Sequence, residues 1–587
     1  MQTIYDYIIG EQVVYQKPID LEDGWSWGMK DHLRRSYLYK NSQFEQENEN
    51  RTLRPNKNIV LAILNVQYRT EGFDVKDIEL FVDDINENYK SFLVKKFHDK
   101  WALENQIDTF IDGTVESYCD YGGALVRKSD KAKPEVVDMR SLAFCNQSNI
   151  LANPFGIRHT FSASQLREMD KWGKDENGAT MDIETLIRLV QKEGEDEDDN
   201  REIEVFEVHG NMPVEWLDDN TNDSKEDSDK DVSQMQVVAF YQNDEGIAQG
   251  VTLFQSKEPT LPFKFLARDE IKDRALGRGG VEELFEAQAW TNWNEIKVTE
   301  MLNNASKQIN VTDDPLIASK HPSGLKGIDN GEFIEVGQGK SVKSLDNSAR
   351  NLPLFNDSLE RWNNHAQILG SATDPLLGES PSAGTPFKLF EAQQLEAKGM
   401  HNYRQGKLAV FIDEIYRDWI IPYIQKEIAN EQSFLTELSA DEMQDIGTQV
   451  AENEANKQRN EQVLNGELPD EKEELKQNFL TRFLEKGSRQ FIKIFKDEIK
   501  EPLSVMTNIA GKQKNQALIT DKMVGVVRQL IASPQVRQDP EMIKWFNNIL
   551  ESSGLSPIMF SPQLQQPQPQ QEQGGSTEPL KQLSEAV

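Results

Sequence analysis

From Phe387 to Ile428 the chain holds helical spacing with a single proline, Pro422, in the way. An α-helix rises 1.5 Å per residue, so this stretch predicts a rod roughly 60 Å long. That is long for a compact enzyme domain, because most globular helices run three or four turns. Pro422 has no N–H and crowds the preceding turn, so a bend is expected there.

The N-terminal half reads as helices followed by a small sheet. Residues 43–50, Gln-Phe-Glu-Gln-Glu-Asn-Glu-Asn, predict a solvated helix or loop. Ile59, Val60, Ala62, Ile63, Leu64 and Val66 predict one core-packing helix over 58–70. Ile78, Leu80, Phe81, Ile85, Tyr89, Phe92, Leu93 and Phe97 predict a second over 74–101. Tyr121-Gly-Gly-Ala-Leu-Val-Arg-Lys128 and Pro134-Glu-Val-Val-Asp-Met-Arg140 read as strands. A helix over 160–169 has Ser162 or Ser164 as its N-cap. Ile203-Glu-Val-Phe-Glu-Val-His209 alternates like a half-buried strand, with 237–241 and 251–254 as its partners. The acid-rich stretches around it, Glu195–Asp199 and Asp218–Asp223, lack the Asp-x-Asp-x-Asp-Gly spacing of a calcium loop and read as solvated loops.

After Leu261-Pro-Phe263 helices dominate. Gly277-Arg-Gly-Gly280 opens a helix to about Asn304, with Val281, Leu284, Phe285, Trp290, Trp293, Ile296, Val298 and Leu302 as its apolar side. A Gly-rich, β-like segment spans 309–342, and helix resumes over 355–369. A polar stretch follows, from Thr373-Asp-Pro375 to Pro386, and then the long helix. Beyond Thr436 further helices are predicted, carrying Phe479, Phe483 and Leu484, then Phe491, Ile494 and Phe495. The Gln/Pro-rich tail over 561–587 has little to bury and reads as disordered. The fold class expected is α+β, mainly helical, with three to five folding units in 587 residues.

Charge narrows the function. Asp and Glu number 99 against 65 Lys and Arg, a net −34. That balance excludes a protein gripping nucleic acid through one broad basic face, which needs clustered cations. It leaves open a protein past which DNA moves. No apolar run reaches the roughly 18 residues a membrane span needs, and Ile59–Leu64 falls far short. With an acid in its first residues the chain reads as soluble and intracellular, with no targeting signal and no membrane partner. Cys119 and Cys145, in no CxxC pair, read as buried apolar residues.

Catalytic templates fail in turn. Gly339-Lys-Ser341 has Ile334 where a P-loop needs glycine. The glycines over 277–280 are better explained as a tight turn into a helix than as an anion cradle. His32, His98, His159, His209, His321, His365 and His401 include no pair spaced three or four apart. No catalytic, cofactor or metal residue is assigned, and a non-catalytic structural component is expected.

The succession of a helical and β half, Gly277-Arg-Gly-Gly-Val-Glu-Glu-Leu-Phe-Glu-Ala-Gln288, a β insertion, a helix, a polar loop and one very long helix resembles the portal proteins of tailed bacteriophages. The segment Ile368-Leu-Gly-Ser-Ala-Thr-Asp-Pro-Leu-Leu-Gly-Glu-Ser-Pro-Ser-Ala-Gly-Thr-Pro-Phe-Lys-Leu389 is similar to a portal tunnel loop and the helix start after it. The acidic, Gln-rich style is similar to portals of crAss-like phages of gut bacteria. The resemblance implies a wing over 1–272, a first stem helix over 277–304 and a clip over 305–351. It further implies a second stem helix over 354–370, a tunnel loop over 371–385, a long wing helix over 386–428 and a helical crown over 430–555.

It also implies a homo-oligomeric ring, typically of twelve subunits, at one capsid vertex of the virion, assembled in the host cytoplasm. Terminase, a head-tail adaptor and the major capsid protein would be its partners, with double-stranded DNA passing through the channel. Thr373, Asp374, Glu379, Ser380, Ser382 and Lys388 would face that DNA. Lys320, Lys326, Lys340, Lys343 and Arg350 would lie in the clip, at the DNA exit or a partner contact. From Lys307 to Arg350 six basic residues balance six acids, a neutral window in an acidic chain. The competing expectation is a non-viral helical adaptor or scaffold whose acidic helices bind protein partners.

Overall fold

The computed structural model describes residues 3–21, 24–42, 56–75, 78–82, 88–192, 202–217, 231–242, 248–306, 310–315, 336–344, 351–372, 374–377, 398–430, 433–465, 470–493 and 505–509. The chain divides into Met1–Lys512 and Gln513–Val587, and every described residue belongs to the first unit. The architecture is α+β.

A five-stranded antiparallel sheet runs in the order Ala248–Lys257, Asp231–Gln242, Ile203–Pro213, Phe155–Phe161, Leu142–Phe144. The strand expected to be half-buried over 203–209 is instead covered on both faces, with only Glu204 of that stretch exposed. Ile203 and Val205 pack with Leu166, Leu186 and Ile187, from the helices Ala163–Arg167 and Ile183–Lys192. Phe206 and Val208 turn the other way, onto Ile4 and Ile8 of the helix Ile4–Tyr15. Burying each such side chain contributes about 1.5–3 kcal/mol. Ser162 does cap its helix, in a reciprocal box with Gln165.

A second antiparallel sheet orders Phe263–Ala267, Gly123–Lys128 and Pro134–Val137, with Phe265 opposite Leu125 and Val126 opposite Val136. The helix Ile107–Tyr121 feeds into it through Gly122, whose φ of 82° only glycine adopts without strain. A Cβ at Gly122 would stand 2.3 Å from the Gly277 carbonyl oxygen. Gly277 and Gly279 therefore pack backbone against backbone on this turn, with Gly277 N–H donating to Gly122 O at 3.0 Å.

Two elements depart from expectation. The 74–101 stretch is not one helix: Ile78–Val82 is a strand, and helix begins only at Asn88. Its antiparallel partner is Val505–Ile509, far along the chain, and that pairing overrides an apolar run that periodicity alone cannot assign. Likewise Phe491 lies in a strand, Arg489–Lys493, paired with Ser433–Glu437, where a helix was expected. Among the described residues between these strands, Ala440–Leu464, capped by Ser439, is a helix and Lys472–Glu485 packs on it through Ile446 and Phe483. The acid-rich loops, residues 43–50, the crown beyond 509 and the tail over 561–587 lie outside the described residues.

The long helix is described from Gly399. It runs Gly399–Ile415, widens to a π turn over Tyr416–Ile420, and continues over Ile421–Asn430. Ile421 N–H reaches back to Tyr416 O, five residues away. The π turn sits immediately before Pro422, which supplies no N–H to the ladder, so the expected bend is taken up as a widened turn. Leu408, Phe411, Ile412, Ile415, Tyr416, Ile420 and Ile424 bury that helix against Ile107, Ile111 and Val115 and against Val94 and Trp101. Both cysteines are buried and unbridged.

Candidate functional site

Three parts of the chain converge on the N-terminal end of the described long helix. The first is the helix Val60–Glu71, whose last residue, Glu71, is fully buried. The second is the segment after Phe263–Ala267, carrying Arg268 and Asp269, and the short helix Gly280–Glu283. The third is the turn Gly370–Ser371 closing the helix Leu352–Leu369. Arg268 Nη2 donates to Glu71 Oε1 at 2.7 Å, with both side chains wholly inaccessible. His401 Nδ1 lies 2.9 Å from the same oxygen, while its Nε2 lies 3.0 Å from Ser371 O. Arg404 donates to Asp269 Oδ2 at 2.6 Å and to Glu283 Oε1 at 2.8 Å. Cys119 Sγ donates to Glu71 Oε2, and Gln405 Nε2 to Gly72 O at 2.7 Å.

Burial alone would push the Glu71 carboxyl up. Arg268, His401 and Arg404 outweigh it and hold Glu71 below the ordinary carboxylate range. Burial wins at Glu283, which is raised despite Arg404 and Arg268. The cluster is a charged joint tying the long helix to the helices Val60–Glu71 and Gly280–Glu283, to the Arg268–Asp269 segment and to the turn Gly370–Ser371. A buried ion network of this kind gives little net stability but strongly penalises rearrangements that separate its members.

Above the joint stand two helices packed on each other, Phe285–Ala305 and Leu352–Leu369. Of the apolar side expected over 277–304, Val281 and Leu284 are buried in a core and Phe285 packs against it, but the rest of the stripe on the first helix does not form the core. Ala287, Gln288, Thr291 and Asn294 are its buried residues, whereas Trp290 and Trp293 are 43% and 46% exposed. Gln288 is held inward because it bridges Lys57 O and Ile59 N–H, and Asn294 because it meets Ser358. The indoles instead stack outside: Trp290 lies flat on Trp362 at 6.0 Å, and Trp293 meets Phe355. Leu302, Leu354 and Ile368 are also exposed.

A second buried cluster lies in the five-stranded sheet. Glu207 accepts from Arg127, His159 and His209, and His209 also meets Glu258 at 2.9 Å. Burial pushes Glu207 up, but the hydrogen bonds from His159 and His209 overcome it and depress the carboxyl well below its usual value. Burial pulls His209 down, and the bonds to Glu207 and Glu258 raise it above 6.5.

Of the residues expected to face DNA or partners, Lys340 and Lys343 are described. Both are exposed at the base of a hairpin in which Asn310–Thr312 pairs with Val342–Ser344. Asp313 and Asp314 tie that base, accepting from Ser341 N–H and Gly337 N–H. Asp374 opens a single helical turn, Asp374–Leu377, anchored by Arg69 Nη2 donating to Leu376 O. Thr373, Glu379, Ser380, Ser382, Lys388, Lys320, Lys326 and Arg350 lie outside the described residues.

Glu71, Arg268, Asp269, Glu283, His401 and Arg404 were missed by sequence reasoning. A signal was present: His401, Arg404 and Gln405 share the helix face of Leu408, Ile412 and Ile415, so polar residues interrupt a buried stripe.

No family model and no curated protein matches the chain. Among solved structures it is similar to a chain in the neck of an empty GTA particle computed with C6 symmetry, at 9% identity and TM-score 0.34, covering 79% of this chain and all of the other. A chain of the native gene transfer agent virion aligns at 10% identity and TM-score 0.31, over 94% of this chain and all of the other. A chain from the native GTA neck computed with C12 symmetry aligns at 8% and 0.27, over 72% and 84%. Scores this low leave the fold to be argued from the chain itself.

Proposed function

We propose that this chain is a portal-type protein that forms a ring at one vertex of a phage-like capsid, carries genome DNA through its centre during packaging and ejection, and docks terminase and a tail adaptor. It is a structural component of the virion and catalyses no reaction. The observation carrying this reading is the helix pair 285–305 and 352–369, which buries polar residues inside its own subunit and presents stacked tryptophans outward. An exposed aromatic face flanked by long helices suits a heterologous contact that closes into a ring. A −34 chain suits a conduit, because phosphate contacts from Lys and Arg would add affinity that opposes sliding. The buried joint would hold the stem hairpin and long helix in fixed relation while the polymer passes.

Native mass spectrometry with negative-stain imaging tests the ring. The expected particle has a central hole and a mass of about 805 kDa for twelve copies of a 67.1 kDa chain. A chain that stays monomeric or dimeric at micromolar concentration, with or without capsid partners, would leave the adaptor or scaffold reading in its place.

A further inference from the structure

The wing carries a groove unrelated to the stem or the joint. Its first half is a cleft of about 400 Å³ between the helices Ile4–Tyr15 and Met29–Lys40 and the edge of the five-stranded sheet. Four cations line it: Lys30 and Arg34 one helical turn apart, Arg140 from a tight turn, and Arg158 from a strand. Glu204 is the one acid there, 3.6 Å from Arg158. Lys30 and Arg34 are exposed and meet no acid among the described residues. Tyr15, Tyr37 and Phe206 supply apolar wall, and Arg140 lies over the Tyr37 ring at 4.2 Å. In a chain of net −34, this concentration of positive charge beside aromatic surface is local and specific.

Past Tyr37 and Arg140, which line both halves, the groove continues into a second cavity of about 400 Å³ with the opposite character. Glu116, Asp120 and Asp138 line it against a single further cation, Lys40, whose Nζ lies 2.5 Å from Glu116 and 2.6 Å from Asp120. Asp138 is shared with Arg140 at 2.8 Å. The groove therefore changes sign along its length.

We infer that this groove docks an extended polypeptide segment of a partner protein, with two or more carboxylates and an apolar side chain seated at Lys30, Arg34 and Arg158, and a basic side chain seated at Glu116 and Asp138. The sign change selects the class of ligand. A nucleic acid strand carries phosphates of one sign along its whole length and would set them against Glu116, Asp120 and Asp138, whereas a polypeptide can alternate. Charge complementarity of this kind gives orientation and partner choice more than raw affinity.

The test uses the full chain and the fluorescein-labelled peptide Glu-Glu-Leu-Glu-Gly-Tyr-Lys-Lys, read by fluorescence anisotropy. Saturable, salt-sensitive binding is expected, weakened at least about tenfold by Arg34→Glu combined with Arg158→Glu, and weaker for a peptide whose lysines are replaced by glutamate. Lys30→Glu, at another exposed position, should weaken binding in the same direction, with circular dichroism confirming that each variant is folded. Absence of saturable binding, or an affinity unchanged in both variants, overturns the inference. So does a single-stranded DNA ten-mer that binds with equal dependence on Arg34 and Arg158, which would make the groove a nucleic-acid site. Self-association of the wild type that Arg34→Glu with Arg158→Glu abolishes would assign the groove to a second copy of this chain and overturn the partner assignment.

Discussion

His401 Nδ1 stands 2.9 Å from Glu71 Oε1, joining positions 330 residues apart in a site that solvent does not reach. The contact fastens the start of the described long helix to the end of the helix Val60–Glu71, and Arg268 shares the same carboxylate oxygen. A buried, mutually dependent ion cluster resists shear between the elements it joins, since any displacement strands charge in a medium of low polarisability.

Removing the shared acceptor should be expensive. Glu71→Gln leaves Arg268 without its buried counter-charge while Arg404 keeps Asp269 and Glu283, and the expected loss is about 3–5 kcal/mol of stability, read from the urea midpoint of the dissociated chain. Arg167→Ala, which breaks an exposed pair with Glu184, serves as the comparison and should leave the midpoint nearly unchanged. Equal shifts in the two variants would remove the joint from the argument.

The five-stranded sheet should respond to pH through His209. Its pKa is raised on folding, so its contribution is fully present below 6.5 and is lost as pH climbs through the folded value. Glu207 is depressed, so its contribution is present above 4.5 and is lost on acidification. Thermal stability should therefore be greatest between about pH 4.5 and 6.5 and decline above neutrality. In His209→Gln the decline above neutrality should flatten, as followed by circular dichroism melts from pH 5 to pH 9. An unchanged slope in that variant would show that other groups dominate.

The tryptophan face separates folding from assembly. Trp290→Ala with Trp293→Ala removes side chains that a single subunit leaves nearly half exposed, so the melting temperature of dissociated chains should change little. Ring yield in negative-stain images should collapse, because aromatic residues at the centre of an interface carry much of its energy. Rings formed at wild-type yield would sink the assignment of this face to subunit contact.

Gly122→Ala tests the turn beneath the joint. The new Cβ would meet Gly277 O at 2.3 Å on a residue with φ of 82°, so both clash and backbone strain oppose it. A loss of about 2 kcal/mol or more is expected by chemical unfolding. Gly406→Ala, on the long helix with nothing within 4 Å of its Cβ, should be neutral or slightly stabilising.

Local chemistry alone determined a good deal here. The helix Val60–Glu71, the strands Ile203–Pro213, Asp231–Gln242 and Ala248–Lys257, the Ser162 cap and the run of helices from Gly280 are all legible, because periodicity and capping act within a few residues, but Ile203–Pro213 takes Phe155–Phe161 rather than Ala248–Lys257 as its second partner. What tertiary structure decided depends on which distant segment arrives. Ile78–Val82 became a strand because Val505–Ile509 lies beside it. Trp290 and Trp293 turned outward because Gln288 and Asn294 found partners within. Glu71, Arg268 and His401 became one site because closing a loop of hundreds of residues brings charges together that no window of sequence contains. Spacing along a chain encodes which face of an element is apolar, but the identity of what covers that face is a property of the whole fold.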